Sequence, residues 1–216
     1  MSLEAEKRLA AETAAELIEP HTCVGLGTGT TVAYLLDAIA LRGVEARYVA
    51  TSRATADAAR ALGITVETFE ALDELDLAID GADQIAPDGW LIKGRGGAHL
   101  REKIVARSAR RFVIIADSTK PVTSLHAPVP LELRRFGLRA TLRELGSTIL
   151  RDVGPTPDGG VLADYHGELG EPFELAERLA SIPGVSAHGL FSPDLVSEII
   201  MVTGKTVSTT NPGGPR

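Results

Sequence analysis

Apolar positions along this chain fall into two alternating rhythms, one of helical period and one of short, nearly continuous runs. Leu3–Ile18 is rich in Ala, Glu and Leu and predicts a helix closed by Pro20. A short apolar run reaches Leu26, a loop Gly27-Thr28-Gly29-Thr30-Thr31 follows, and Val32, Leu35, Leu36, Ile39 and Ala40 then recur at helical spacing. The unit of strand, loop and helix repeats. Ala46–Ala50 predicts a strand ended by Thr51-Ser52, and an alanine-rich helix runs on to Leu62. Ile64–Glu67 and Leu75–Ile79 predict further strands, the second ending at Asp80. After a glycine-rich segment, Leu100–Arg110 predicts a helix, and Phe112–Ala116 forms the most apolar strand, with Asp117 behind it. Strands that alternate with helices imply an α/β fold: a mostly parallel sheet with helices on both faces.

The rhythm changes near His126–Pro130, where two prolines flank Val129. Beyond it come a strand, a helix over Phe136–Leu145, a turn over Gly154–Gly160, a strand over Val161–Tyr165, a helix over Pro172–Ser181 and a strand over Val185–Leu190. That order predicts a small ferredoxin-like α+β domain over residues 128–195. Residues 1–127 and 196–216 then form the main domain, with a last strand over Val196–Val202. Residues 208–216 are polar and rich in Gly and Pro, and are expected to be a disordered tail.

Composition narrows the classes of function. Hydrophobic residues make up 44% and charged residues 24% of 216, as in ordinary soluble proteins. The net charge of −7 and the lack of a long Lys/Arg run argue against nucleic acid or an anionic membrane as partner. Arg134, Arg135, Arg139 and Arg143 read as the solvated face of a helix rather than an anion site. No apolar run is long enough to span a bilayer, and residues 1–20 lack the apolar core of a signal peptide. The single cysteine, Cys23, sits in an apolar run and reads as a core residue in a reducing compartment, which makes the cytoplasm the expected location.

Four unusual segments each follow a predicted strand: Gly27–Thr31, Thr51-Ser52, Asp80–Gly97 and Asp117–Lys120. In open parallel sheets, ligands bind at the carboxyl ends of the strands, so one topology would bring these segments together. Gly27–Thr31 offers backbone N–H groups, three hydroxyls and a helix N-terminus, which suits a phosphate monoester; the alternative is a plain turn capping a helix. Its glycine spacing is not that of a dinucleotide loop, and no lysine follows as in a nucleotide-triphosphate loop. Asp80 and Asp83 can orient sugar hydroxyls or move protons, or simply form a turn. Lys93, ahead of a glycine loop, can stabilise an oxyanion. Glu102, in the first turns of a helix, is either a favourable charge at its N-terminus or a base working between adjacent carbons. Lys120 contacts a ligand oxygen or solvent. The histidines show no metal-ligand spacing, and no nucleophile elbow is present.

GLGTGTT (25–31), DGAD (80–83), KGRGGAHLREK (93–103) and ADSTK (116–120), with Ile182–Val185 and Gly189–Phe191, resemble in order and spacing the signature segments of type A ribose-5-phosphate isomerases. The resemblance covers nearly the full chain, to about Gly204. It implies a Rossmann-like main domain with a small lid-like domain, and usually a homodimer or homotetramer. It also implies interconversion of ribose 5-phosphate and ribulose 5-phosphate, a step of the non-oxidative pentose phosphate pathway, with no metal and no organic cofactor. On the matching positions, Glu102 would be the base that shuttles a proton between C1 and C2, and Lys93 would stabilise the enediolate oxygen. Asp80 and Asp83 would bind hydroxyls and assist ring opening. Thr28, Gly29, Thr30 and Thr31 would hold the phosphate, with Lys120 and Lys7 adding charge. Gly81, Ala82, Gly94, Arg95 and Gly96 would line the substrate.

Three positions depart from the family pattern. Gln84 replaces a usual Glu, which removes a charge from the edge of the site. Arg95 interrupts a run of glycines, where a side chain resists positive φ and the loop is expected to differ. His99 replaces a usual leucine. Two other readings stay open: a sugar-phosphate sensor, which would need an attached DNA-binding module and no proton shuttle, and an isomerase of another aldose phosphate.

Overall fold

The computed structural model describes residues 1–213. The polypeptide divides into two compact units, Met1–Ala82 with Arg101–Pro121 and Pro193–Arg216, and Asp83–Leu100 with Val122–Ser192.

In chain order the elements are α1 (Leu3–Ala15), β1 (Cys23–Leu26), α2 (Thr30–Arg42), β2 (Arg47–Ala50), α3 (Arg53–Ala61), β3 (Val66–Glu67) and β4 (Leu75–Gly81). There follow β5 (Gln84–Ile85), β6 (Leu91–Ile92), α4 (His99–Ser108), β7 (Ala109–Asp117), β8 (Val129–Leu133), α5 (Leu138–Leu145) and β9 (Thr148–Leu150). The chain closes with β10 (Val161–Tyr165), α6 (Pro172–Ser181), β11 (Val185–His188), β12 (Leu190–Phe191), β13 (Glu198–Thr203) and β14 (Thr206–Thr210).

The first unit is built on a seven-stranded sheet in the order β14-β13-β7-β4-β1-β2-β3. All pairs are parallel except the terminal hairpin of β13 and β14. Side chains alternate between faces. Val24, Leu26, Leu77, Ile79, Val113, Ile115, Ile200 and Val202 point to one face and form a core with Ala10, Ala11, Ala14 and Ala15 of α1 and Leu35, Leu36 and Ile39 of α2. The intervening positions point the other way, where Val105 of α4 lies so close to Gly25 that a Cβ there would be 2.4 Å from its Cγ1. Gly25 is therefore what admits α4 onto that face. Ser2 starts α1 by accepting the Ala5 N–H at 3.3 Å, and Glu4 and Glu6 sit in its first turn, the favourable end for acids.

The second unit holds an antiparallel sheet ordered β11-β8-β10-β9 and a three-stranded sheet ordered β12-β6-β5. The first has the order expected of a ferredoxin-like βαββαβ unit, with α5 and α6 as its crossovers. Leu131, Leu133, Ala163, Leu175 and Leu179 form its core.

Several sequence expectations need correction. Residues 83–100 and 122–127 fall in the second unit and not with the main domain, because β5 and β6 pair with β12 rather than with the large sheet. Ser208, Thr209 and Thr210 belong to β14 and are paired with β13, so the tail is not disordered there. Gly214, Pro215 and Arg216 lie outside the described residues. Cys23 is only half-buried, since it opens β1 at the sheet's amino-terminal end. Arg134 and Arg135 precede α5 rather than lie on it.

Candidate active site

The carboxyl ends of β1, β2, β4, β7 and β13 lie along one end of the large sheet, as parallel pairing requires. At that end β1 runs into Gly27, whose N–H still bonds to Ile79 O at 2.9 Å. Asp80, 2% exposed, accepts the N–H of Thr28 at 3.1 Å and that of Gly81 at 2.7 Å on Oδ1. A Cβ at Gly27 would fall 2.0 Å from the Asp80 carboxyl carbon, so the glycine is what lets the loop and the carboxylate share this space.

The hydroxyls beneath the loop are linked. Thr28 Oγ1 and Thr51 Oγ1 are 2.8 Å apart, and Thr55 Oγ1 donates to Gly27 O at 2.8 Å. Ser52 caps α3 through the Thr55 N–H at 3.1 Å. Sequence reasoning marked Thr51-Ser52 but missed Thr55, whose signal is its place with Ala59 on the one buried stripe of α3. Gly29, at φ +135, is the N-cap of α2 and no side chain caps that end. Thr30 is exposed and Thr31 buried beside it, and this helix N-terminus stands just past the carboxyl end of β1, an arrangement suited to an anion.

Glu102 lies in the first turn of α4 and is buried. Asp80 shares the sheet face of Ala78 and Gly25, against which α4 packs through Val105, so Glu102 and Asp80 belong to the same side of the sheet. Next to Glu102, burial and then the nearby Arg107 push the Lys103 ammonium down to about 7. Lys120 is half-buried in the turn after β7, its N–H bonded to Asp117 O at 3.2 Å. Asp117 accepts the N–H of Thr119 at 2.9 Å and also its hydroxyl, which closes that turn. Lys7 is half-buried on α1. Gly81 ends β4 and Ala82 follows it, both half-buried.

Asp83, Lys93, Gly94, Arg95 and Gly96, the other candidate residues, lie within the second unit. Asp83 accepts the Arg95 N–H at 2.9 Å, and its own N–H bonds to Ile92 O at 2.8 Å. Lys93 continues β6 with its N–H on Gly189 O at 2.8 Å, and its buried ammonium lies 5.5 Å from the Phe191 ring centre. Arg151 donates to the carbonyls of Gly94 (3.1 Å) and Arg95 (2.9 Å) while pairing with both oxygens of Asp164. Gly96 is exposed.

Arg95 does not itself take a positive φ. Positive φ falls at Gly94 (+107) and Gly97 (+76), and Arg95 needs none, so its side chain simply stands 86% exposed, 3.9 Å from Asp83. Gly94 also lies against the fully buried His99, where an added Cβ would come 2.7 Å from the His99 Cβ and from its ring Nδ1. Gln84 is buried rather than at an open edge, and is held to His126 through both ends of its amide.

Among the described residues, no three His, Cys, Asp or Glu side chains converge to hold a metal, and no helix is long and apolar enough to cross a membrane.

The family profile described as "Ribose 5-phosphate isomerase A (phosphoriboisomerase A)" matches residues 47–206. A protein of Caulobacter sp. (strain K31) named ribose-5-phosphate isomerase A is 41% identical, over 96% of this chain and 98% of its own length. The crystal structure of ribose 5 phosphate isomerase A from Neisseria gonorrhoeae superposes with a TM-score of 0.92 at 32% identity, over 98% of both chains. A D-ribose-5-phosphate isomerase in complex with phospho-erythronic acid superposes with a TM-score of 0.90 at 32% identity, over 98% of this chain and 100% of that one.

Proposed function

This chain belongs to the ribose 5-phosphate isomerase A family, and on that footing we propose that it interconverts ribose 5-phosphate and ribulose 5-phosphate through an enediolate, with Glu102 as the base. Asp80 and Asp83 bind ring hydroxyls and help move the proton that opens the furanose. The Glu102 carboxylate then takes the proton from C2 of the open aldehyde and the carbonyl oxygen on C1 becomes an enediolate oxygen; the C2 hydroxyl passes its proton to that oxygen, and the same carboxyl returns the first proton to C1 as the C2 oxygen becomes the ketone carbonyl. Lys93 stabilises the developing oxyanion. Thr28, Gly29, Thr30 and Thr31 hold the phosphate, with Lys120 and Lys7 supplying charge, while Gly81, Ala82, Gly94, Arg95 and Gly96 line the sugar.

The observation that carries this reading is the pairing of Asp80 with the Thr28 N–H beside the uncapped α2 N-terminus, on the sheet face that α4 brings Glu102 to. An anion loop, a carboxylate that steadies it and a buried acid on one side of a sheet fit an anionic sugar that must lose and regain one proton. The relative bound to phospho-erythronic acid, an acid with a phosphate, supports a ligand of that shape.

Proton NMR of ribose 5-phosphate in D₂O tests it, with wild type and Glu102→Gln and no added metal. Wild type should form ribulose 5-phosphate with deuterium entering the reacting carbon, and the variant should be slower by about a hundredfold or more. Wild type that binds the sugar without isomerising it would overturn the reading. The protein is further read as a cytoplasmic homodimer or homotetramer, and light scattering at working concentration decides between those assemblies and a monomer.

A further inference from the structure

A carboxylate outside the proposed chemistry is buried within the first unit. Glu6 of α1 is 5% exposed and lies on the stripe that buries Ala10 and Ala14. An ionised carboxylate out of water is costly unless its oxygens are hydrogen-bonded, and the alanines around it show what an ordinary core position here accepts. Glu6 meets that requirement with backbone donors at both oxygens: Oε2 accepts the N–H of Ser118 at 3.0 Å and Oε1 accepts the N–H of Gly204 at 2.8 Å. Ser118 stands just past β7 and Gly204 just past β13, neighbouring parallel strands against which α1 packs. One side chain thus ties the start of α1 to the carboxyl ends of two strands. Ser118, through its side chain and N–H, and then the Gly204 N–H hold the carboxyl below its usual range, so it stays charged and keeps accepting from both.

Both lysines assigned to the phosphate are attached to what Glu6 joins. Lys7 is the next residue on α1. Lys120 is two residues beyond Ser118, in the short turn closed by its own N–H on Asp117 O. We infer that Glu6 is a positioning residue for phosphate binding, which fixes the backbone from which Lys7 and Lys120 reach the ligand. The inference rests on the reading of those lysines as phosphate contacts. Glu6 itself touches no substrate; it limits how far the two cations wander.

Glu6→Gln tests this, because an amide turned either way offers a donor to one of two N–H groups. KM for ribose 5-phosphate and the inhibition constant of inorganic phosphate should both rise about tenfold, with kcat within about twofold of wild type. In a double-mutant cycle, Lys120→Ala should cost less in the Glu6→Gln background than alone, since a lysine already misplaced has less to lose. Unchanged KM and phosphate inhibition alongside a lower melting temperature would overturn the inference, leaving Glu6 a fold-holding tie only. Lys120→Ala with unchanged KM and phosphate inhibition would instead remove the premise, and that result is separable from the first. Should Glu6→Gln fail to fold, Glu6→Asp, which keeps the charge and shortens its reach, carries the same expectations.

Discussion

Gln84 and His126 clasp each other through opposite ends of one amide: Gln84 Nε2 donates to His126 O at 2.8 Å, and the His126 N–H donates back to Gln84 Oε1 at 2.9 Å. A carboxylate could accept but not donate, and at this buried position it would also face the His126 carbonyl. Gln84→Glu is therefore expected to destabilise the protein by about 1–3 kcal/mol in urea denaturation at neutral pH. The loss should shrink as pH falls and the introduced acid takes up a proton it can donate. An equal loss at pH 7 and pH 4 would refute this account.

Gly27 and Asp80 share a space too small for a methyl group. Gly27→Ala has to push Asp80 aside or shift the Thr28 loop, and a displacement of about 1 Å at such a site is enough to cost about a hundredfold in rate. The expected result is a large fall in kcat/KM with an unchanged far-ultraviolet circular dichroism spectrum. Near-normal activity would show that Asp80 is not held where the chemistry needs it.

Thr55 supplies the hydroxyl that satisfies Gly27 O. Thr55→Val keeps the shape and deletes the donor, which should cost about 1–3 kcal/mol of stability and raise KM, whereas Thr55→Ser should behave nearly as wild type. Equal behaviour of the two variants would show that the hydroxyl is unimportant and only the packing counts.

Lys103 carries a pH signature. Its pKa is about 7 in the folded protein against an ordinary 10.5, so between those values the unfolded chain binds the extra proton. Stability from this group should therefore rise as pH climbs from about 7 to about 10.5. Lys103→Met should lack that rise in denaturation curves measured across the interval. Glu6 works in the opposite region: its lowered carboxyl contributes stability above its unfolded pKa, and that contribution is lost as pH falls through the folded one.

The alternation of buried runs and helical stripes made β1, β4, β7 and the helices between them legible, because each of these elements buries a continuous apolar surface. The loop Gly27–Thr31 and the segment Asp80–Ala82 were legible for a related reason: they interrupt that pattern where parallel strands end. Strands β5, β6 and β12 were not, since two-residue strands carry no period. Their pairing joins residues about a hundred positions apart, which is why the segment 83–100 was expected with the wrong unit. Thr55 and Glu6 escaped for a different reason. Each is a polar residue on a buried helical stripe, and among its partners are backbone groups that no side-chain motif records.

The alternation along β4 makes the strand a parity device. Leu77 and Ile79 point into the core with α1 and α2, while Ala78 and Asp80 point to the side of α4. One residue added or lost between Leu77 and Asp80 would turn every later side chain over, sending the carboxylate into hydrocarbon and an isoleucine toward the Gly27–Thr31 loop. Two residues would restore the facing but lengthen the strand past its neighbours. The count of residues in this short stretch is thus as binding as their identity, and insertions that the surface turns of the molecule would absorb are excluded here by arithmetic alone.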